Sequence, residues 1–357
     1  MRQNLICFGI LLSGMLLAPV CFSAATNGAS AGSAVSSAEF VVYRDKTVDS
    51  SSYSVKTDRS VERIQESVVQ PLEKDEPDVN AAPPEKTVLL YDTDSQKVID
   101  LPLEEYLIGV VLAEMPYTFA PEALKAQAVA ARSFTLWQIG NGRHENADLC
   151  SDYHCCQAWS NPDTATERWG EALAEEALHA VRTAVESTTG EILTYNGDVA
   201  CAVFHASSHG ATASSREVWG GELAYLVSVA SPEDAPCRTV GISCDRFVEI
   251  LNRAGYSIAK EEKMQIEQLQ SQETGRVESL EICGTIIPGT ALRSLFSLPS
   301  TSFTVTVEEE NIVFTVWGNG HGVGMSQLGA DALARSGNSY AEILSHYYPG
   351  TALVPMP

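Results

Sequence analysis

Apolar positions fall into two different rhythms along this chain, and the change of rhythm marks its elements. Thr87-Val-Leu-Leu-Tyr91 and Lys97-Val-Ile-Asp-Leu101 flank the turn-forming Asp92-Thr-Asp-Ser95, which predicts a hairpin. The spacing then becomes helical. Leu103, Leu107 and Val110 are separated by four and three residues, predicting a helix from Leu103 to Met115 that Pro116 ends. Pro121 suits the first position of a second helix, reaching about Ile139. A third helix is predicted from Glu171 to Ser187, and strands within 191–205, 276–288 and 302–317. Helices and strands come in blocks without βαβ alternation or an internal repeat. The expectation is therefore an α+β fold, mixed helices and antiparallel sheet forming a cleft.

The first 85 residues read differently. Arg2 precedes an apolar run from Leu5 to about Phe22, closed by the small residues Ser23, Ala24 and Ala25, the signature of an export signal or membrane anchor. Pro19 and Val20 make a poor lipidation box before Cys21. Residues 26–85 are rich in Ser, Ala, Val and charges and poor in aromatics, as expected of a low-order stalk. The expected organisation is thus a leader or anchor (1–25), a linker (26–85) and a compact domain (86–357) on the extracytoplasmic side of the cell membrane. A net charge of −23 argues against nucleic acid as a partner.

Four residues beyond Val110, the apolar stripe meets a carboxylate, Glu114. Burial would raise its pKa and make it a proton donor. A helix cap, or a partner of Lys125 or Arg132 on the next helix, is the plainer alternative.

Seven of the nine cysteines lie outside the leader. His144, Cys150, His154, Cys155 and Cys156 crowd into thirteen residues, which suits a structural zinc closed by protein ligands better than bridges. Free thiols with one disulfide are the alternative. Cys237 and Cys244 could close a small loop, and Cys201 and Cys283 are expected to be core thiols.

Gly318, Gly320, Gly322 and Gly324 alternate after a predicted strand, but the third position of a dinucleotide fingerprint counted from Gly320 falls on Met325 and no βαβ unit surrounds it. Unusual backbone angles and close approach of another group are the better expectation for this loop. His205, Ser207 and Ser208 lie without a Gly-x-Ser-x-Gly elbow, so polar contacts are expected rather than a Ser–His hydrolase. Trp219 could stack on a ligand ring or sit in the core.

Several long stretches carry a resemblance. Leu101-Pro-Leu-Glu-Glu-Tyr-Leu-Ile-Gly-Val-Val-Leu-Ala-Glu-Met-Pro116 with Pro121-Glu-Ala-Leu-Lys-Ala-Gln-Ala-Val-Ala-Ala-Arg132 closely resembles the stage II sporulation protein D family. So do Phe204-His-Ala-Ser-Ser-His-Gly210 with Val218-Trp-Gly-Gly221, Gly318-Asn-Gly-His-Gly-Val-Gly-Met-Ser-Gln-Leu-Gly-Ala330 and His346-Tyr-Tyr-Pro-Gly-Thr351. The resemblance implies a membrane-anchored lytic transglycosylase cutting peptidoglycan glycan strands during engulfment in endospore formation, with the catalytic glutamate at Glu114. It implies denuded strands as substrate, an amidase partner (stage II sporulation protein P) and a membrane partner (stage II sporulation protein M). The same resemblance puts the glycine loop against the catalytic helix, with His321, Ser326 and Gln327 as candidate cleft residues and close approach of a sugar to the glycines. With a glycan as the implied substrate, His205, Ser207, Ser208 and Trp219 become candidate sugar contacts, and Lys125 and Arg132, seven residues apart on one face of the second helix, complete the candidate set. His209 stands where the family usually has Gly. The family's zinc spacing maps onto His144, Cys150 and Cys156, with Cys155 or His154 as the fourth ligand. A non-catalytic glycan-binding module that enhances an amidase is the competing function. A zinc peptidase is disfavoured by the lack of His-Glu-x-x-His.

Overall fold

Residues 86–259, 264–271 and 273–357 are described by a computed structural model. The predicted leader and stalk lie outside these residues. Among the described residues no helix is long and apolar enough to cross a membrane.

The helices are α1 (Leu103–Glu114), α2 (Pro121–Asn141), α3 (Ala165–Trp169), α4 (Glu171–Glu186), α5 (Ser215–Trp219), α6 (Cys244–Arg253), α7 (Gly289–Leu295), α8 (Gln327–Arg335) and α9 (Tyr340–Tyr347). Pro121 opens α2 as expected, and Gly142, in the left-handed region at φ 57°, closes it. Small buried residues (Ala123, Ala126, Ala130, Ala131) let α2 lie close to α1, α4, α8 and α9 at the centre of a large core.

The predicted hairpin is present, Thr87–Asp92 pairing antiparallel with Lys97–Pro102. Its first strand also pairs in parallel with Leu149–Cys150, which holds Cys150 in register opposite Tyr91. The segment 191–205 holds strands Glu191–Tyr195, Asp198–Val199 and Phe204–His205 rather than one run. Phe204–His205 pairs in parallel with Met325–Ser326, joining the two motif-bearing loops.

A second core is built by Phe247, Leu251, Leu280, Ile282, Leu292, Phe303, Ile312 and Phe314. Two antiparallel three-stranded sheets form it, with orders 285–288, 277–282, 266–270 and 303–308, 311–317, 237–243. The α+β expectation holds: helices pack with largely antiparallel sheets, and two short parallel pairs are added.

Two cysteine expectations are corrected here. Cys237 and Cys244 cannot bridge, because Cys237 begins the strand 237–243 and Cys244 follows its far end, about 20 Å away at the rise of an extended chain. Both thiols are free. Cys201 is a buried core thiol, but Cys283 occupies a turn at φ 47° and is partly exposed.

Candidate active site and metal cluster

Glu114 is the last residue of α1, and extended Met115 (φ −129°, ψ 133°) ends the helix behind it. The stripe that drew attention to Glu114 is not a stripe in the fold. Leu103 and every residue from Tyr106 to Leu112 are buried, so α1 is packed on nearly all sides. Protein surrounds the Glu114 carboxyl, which nevertheless keeps partial contact with solvent. Its Oε1 accepts the Ala158 N–H at 2.7 Å, and its Oε2 accepts from Gln327 Nε2 at 3.3 Å. Neither Lys125 nor Arg132 pairs with it. Burial raises its pKa above the ordinary 4.5, opposed by those two donors. The carbonyl end of α1 acts in the same direction as burial.

The Ala158 N–H is held by what precedes it. Cys156 and Gln157 come first in the chain, and the buried Gln157 Nε2 donates to Tyr106 Oη at 2.9 Å and Thr135 Oγ1 at 2.8 Å. Ser160 N–H donates to the Gly109 carbonyl at 3.1 Å, and Trp159 fills the space beside Gly109 that a Cβ would need. Residues 156–160 are thus strapped along α1 and α2.

The ligand atoms of His144, Cys150, Cys155 and Cys156 all lie within 4.8 Å of one another. His144 Nε2 is 3.2 Å from Cys156 Sγ and 3.7 Å from Cys155 Sγ, and the latter two sulfurs are 4.0 Å apart. Tetrahedral zinc with ordinary bond lengths separates such ligands by about 3.5–3.8 Å, so the donor set fits a closed four-ligand site. His154 is not part of it: its ring is exposed and pairs with Asp152 at 3.1 Å. Burial holds His144 in the neutral, ligating form, with the Arg143 charge adding to it. Burial pushes the Cys150 thiol up to about 12 and raises Cys155, so gathering these sulfurs as thiolates requires a cation.

A second polar group adjoins the first. The buried His205 has Nδ1 3.2 Å from the Val323 carbonyl and Nε2 2.6 Å from Ser208 Oγ. Ser208 N–H donates to Glu233 Oε1 at 2.7 Å, and Ser326 Oγ donates to the same oxygen at 2.5 Å. Ser326 also caps α8, accepting the Gly329 N–H at 3.2 Å. From the second core, Arg276 reaches Ser208 Oγ at 3.4 Å and Thr301 Oγ1 at 3.3 Å. His321 accepts the Val323 N–H at 3.1 Å, and Trp219 lies 5.4 Å from its ring. Burial and then the Arg293 charge lower His321 to about 4, so it stays neutral.

The fold therefore joins Glu114 with Gln327, and His205, Ser208, Trp219, His321 and Ser326 with one another. Several expectations of sugar contact change. Ser207, Ser208 and Ser326 are buried, and the two hydroxyls described above serve internal partners. Arg132 is fully buried and bonds Glu104 at 2.6 and 3.0 Å and the Glu191 carbonyl at 3.1 Å, which makes it part of the framework. Lys125 pairs with Glu122 at 2.7 Å over the Tyr340 ring. The alternating glycines are closely packed by protein. A Cβ at Gly318, Gly320, Gly322 or Gly324 would collide with Ser207, His205, Arg276 or Val203 respectively. Gly322→Ala is thus expected to cost roughly 1–3 kcal/mol of stability in urea denaturation. Gly337→Ala, equally left-handed at φ 97° but with open space around it, isolates the backbone part of that loss.

Glu233, Arg276, Gln127 and Gln157 escaped the sequence reading. Only Gln157, directly after Cys155-Cys156, carried a usable positional signal.

A sequence profile described as "Stage II sporulation protein" matches residues 91–195, the span that holds Glu114 and the four-ligand cluster. Stage II sporulation protein D of Bacillus subtilis (strain 168) is 34% identical over 272 residues, 75% of this chain and 78% of that protein. The chain belongs to the stage II sporulation protein D family. Its Bacillus amyloliquefaciens namesake gives 35% identity over 269 residues, covering 74% and 77% of the two chains. A protein named amidase enhancer, also from Bacillus subtilis, is 28% identical over 302 residues, 69% of this chain but 40% of its own length. Membership makes this a sporulation-family protein, and the match to the two sporulation proteins extends well past the 91–195 profile.

Proposed function

We propose that this chain is a lytic transglycosylase that cuts the bond between N-acetylmuramic acid and N-acetylglucosamine in peptidoglycan glycan strands stripped of stem peptides. The observation that carries this reading is Glu114: one carboxyl on the wall of the fold, its pKa raised by burial, with two neutral donors as its hydrogen-bond partners. Glycosidases that use water or a covalent intermediate take two carboxyl groups. A transglycosylase needs one. Glu114 protonates the glycosidic oxygen as the bond to C1 breaks. The carboxylate so formed removes the proton from the muramyl 6-hydroxyl, whose oxygen closes on C1 to give a 1,6-anhydro end. The proton returns to Glu114, and no water enters. A pKa raised towards neutrality suits both halves.

The expected setting follows the family resemblance: extracytoplasmic, held by the N-terminal segment, acting in engulfment with the amidase stage II sporulation protein P and the membrane protein stage II sporulation protein M. The second reading, a glycan-binding module that enhances an amidase, draws on the amidase enhancer relative. Digestion of denuded strands by wild type and Glu114→Gln, followed by mass spectrometry, separates the two. Anhydromuramyl ends from wild type alone support the enzyme, whereas binding without cleavage by either protein supports the module.

Zinc is the proposed occupant of His144, Cys150, Cys155 and Cys156, a structural ion that supplies charge to hold three thiolates together. Elemental analysis of protein purified from zinc-containing medium is expected to give about one zinc per chain. Cys156→Ser should lose it and lower the melting temperature; wild type that comes out of the same medium without bound zinc would contradict the assignment.

A further inference from the structure

Gln327 Nε2, the donor to Glu114 Oε2, also lies 3.5 Å from Gln127 Oε1. Gln127 is completely buried on α2, and its own Nε2 has no hydrogen-bond partner. One nitrogen of Gln327 therefore bridges two acceptors, while the amide nitrogen behind it is left orphaned. An unpaired buried N–H₂ is unfavourable, so its presence beside the candidate catalytic carboxyl needs an explanation.

We infer that Gln127 is a positioning residue, forming with Gln327 a pair of side-chain amides that reverse together as Glu114 gains or loses its proton. The inference rests on the transglycosylase reading, in which Glu114 is acid first and base second. A carboxylate can only accept, and the observed arrangement suits it: Gln327 donates, and Gln127 accepts. A protonated Glu114 must instead donate its O–H, and the same Gln327 nitrogen cannot receive it. Turning the Gln327 amide puts Oε1 at the bridging position. Turning Gln127 as well brings the orphaned Nε2 onto that oxygen. In the acid form the Glu114 O–H and the once-orphaned Gln127 nitrogen then both meet Gln327 Oε1, and only the amide planes have rotated.

The backbone beneath this pair is fixed. Ser326, capping α8 and bonded to Glu233, sets where Gln327 starts, and α2 sets Gln127. Rotation about the terminal side-chain bonds is the freedom that remains. The charged side chains of the surrounding elements are engaged elsewhere. Lys125 and Arg132 on α2 pair with Glu122 and Glu104, and Asp331 on α8 pairs with Arg335. Tyr106 on α1 is the titratable neighbour, and burial keeps its hydroxyl protonated. The 156–160 segment presents the Ala158 N–H to Glu114, and its Cys156 acts on Tyr106. The amides are thus the groups able to follow the Glu114 proton.

Neutron diffraction from deuterium-exchanged crystals of the full-length protein, at a pH below and a pH above the Glu114 titration, reads this directly without substrate. The expected result is deuterated Gln327 nitrogen facing Glu114 at high pH and Gln327 oxygen facing it at low pH, with Gln127 reversed in step. Gln127→Met keeps the bulk of the side chain but can neither donate nor accept through an amide. It is expected to lower kcat about tenfold with KM unchanged, the scale of one lost hydrogen bond. Identical amide orientations at both pH values, or an unchanged kcat in Gln127→Met, overturns the inference. Should wild type fail to cut glycan at all, the transglycosylase reading falls, and the neutron result still decides whether the amides reverse.

Discussion

Glu114→Gln is expected to lower turnover on denuded glycan strands by roughly 10²–10⁴-fold, the range associated with a positioned general acid and base, and at the same time to stabilise the fold at neutral pH. The second effect follows from the sign of the pKa shift. Folding raises the Glu114 pKa above 4.5 because burial disfavours the ionised form. A group shifted upward contributes stability below its unfolded pKa, and that contribution is lost as pH rises through the folded pKa. Above that point the wild-type protein carries an ionised carboxylate in an unfavourable place, whereas glutamine carries none. Urea denaturation at about pH 4 and about pH 8 should show the Gln variant gaining on wild type only at the higher pH. Equal stability differences at both values would mean that Glu114 titrates alike in the folded and unfolded chain, leaving no basis for its use as an acid near neutrality.

The largest structural effect is expected at Arg132. Its guanidinium is fully buried, with Glu104 as its charged partner and the Glu191 and Val185 carbonyls as further acceptors. Removing one member of such a pair strands the other, typically at 3–5 kcal/mol. Glu104 keeps a quarter of its side-chain surface in solvent, which points to the lower end of that range for Arg132→Met. The double variant with Glu104→Met should recover part of the loss, since no lone charge remains. Normal stability of Arg132→Met combined with weakened glycan binding would instead restore Arg132 to the list of substrate contacts.

How far the sequence could be read depended on whether the signal was local. Pro116, Pro121 and the Asp92-Thr-Asp-Ser95 turn act within a few residues, and the hairpin, α1 and α2 fall where those residues put them. The His/Cys cluster was legible for the same reason, its four donor atoms coming from one short stretch. The choice between Cys155 and His154 was not, because it depends on how the loop turns after Cys150 pairs beside Tyr91. The apolar stripe on α1 pointed to Glu114 for an incomplete reason: a helix buried on nearly all sides has no single core-facing stripe. Cys237 and Cys244 misled because seven residues can close a loop or span a strand, and the antiparallel pairing with 311–317 decided for the strand. Glu233, in Ser231-Pro-Glu-Asp, has the composition of an exposed turn, and its burial arises from contacts made almost a hundred positions later in the chain, at Ser326.

The glycine loop also bears on how this family can diversify. Four positions along Gly318–Gly324 meet protein atoms wherever a first side-chain carbon would stand. Even alanine is too large there, so this loop offers no foothold for gradual change. For the proposed transglycosylase, variation in strand preference would come from walls that can accept a different side chain, such as the loop around Trp219. Directed evolution of specificity should begin with libraries there and leave the glycines alone.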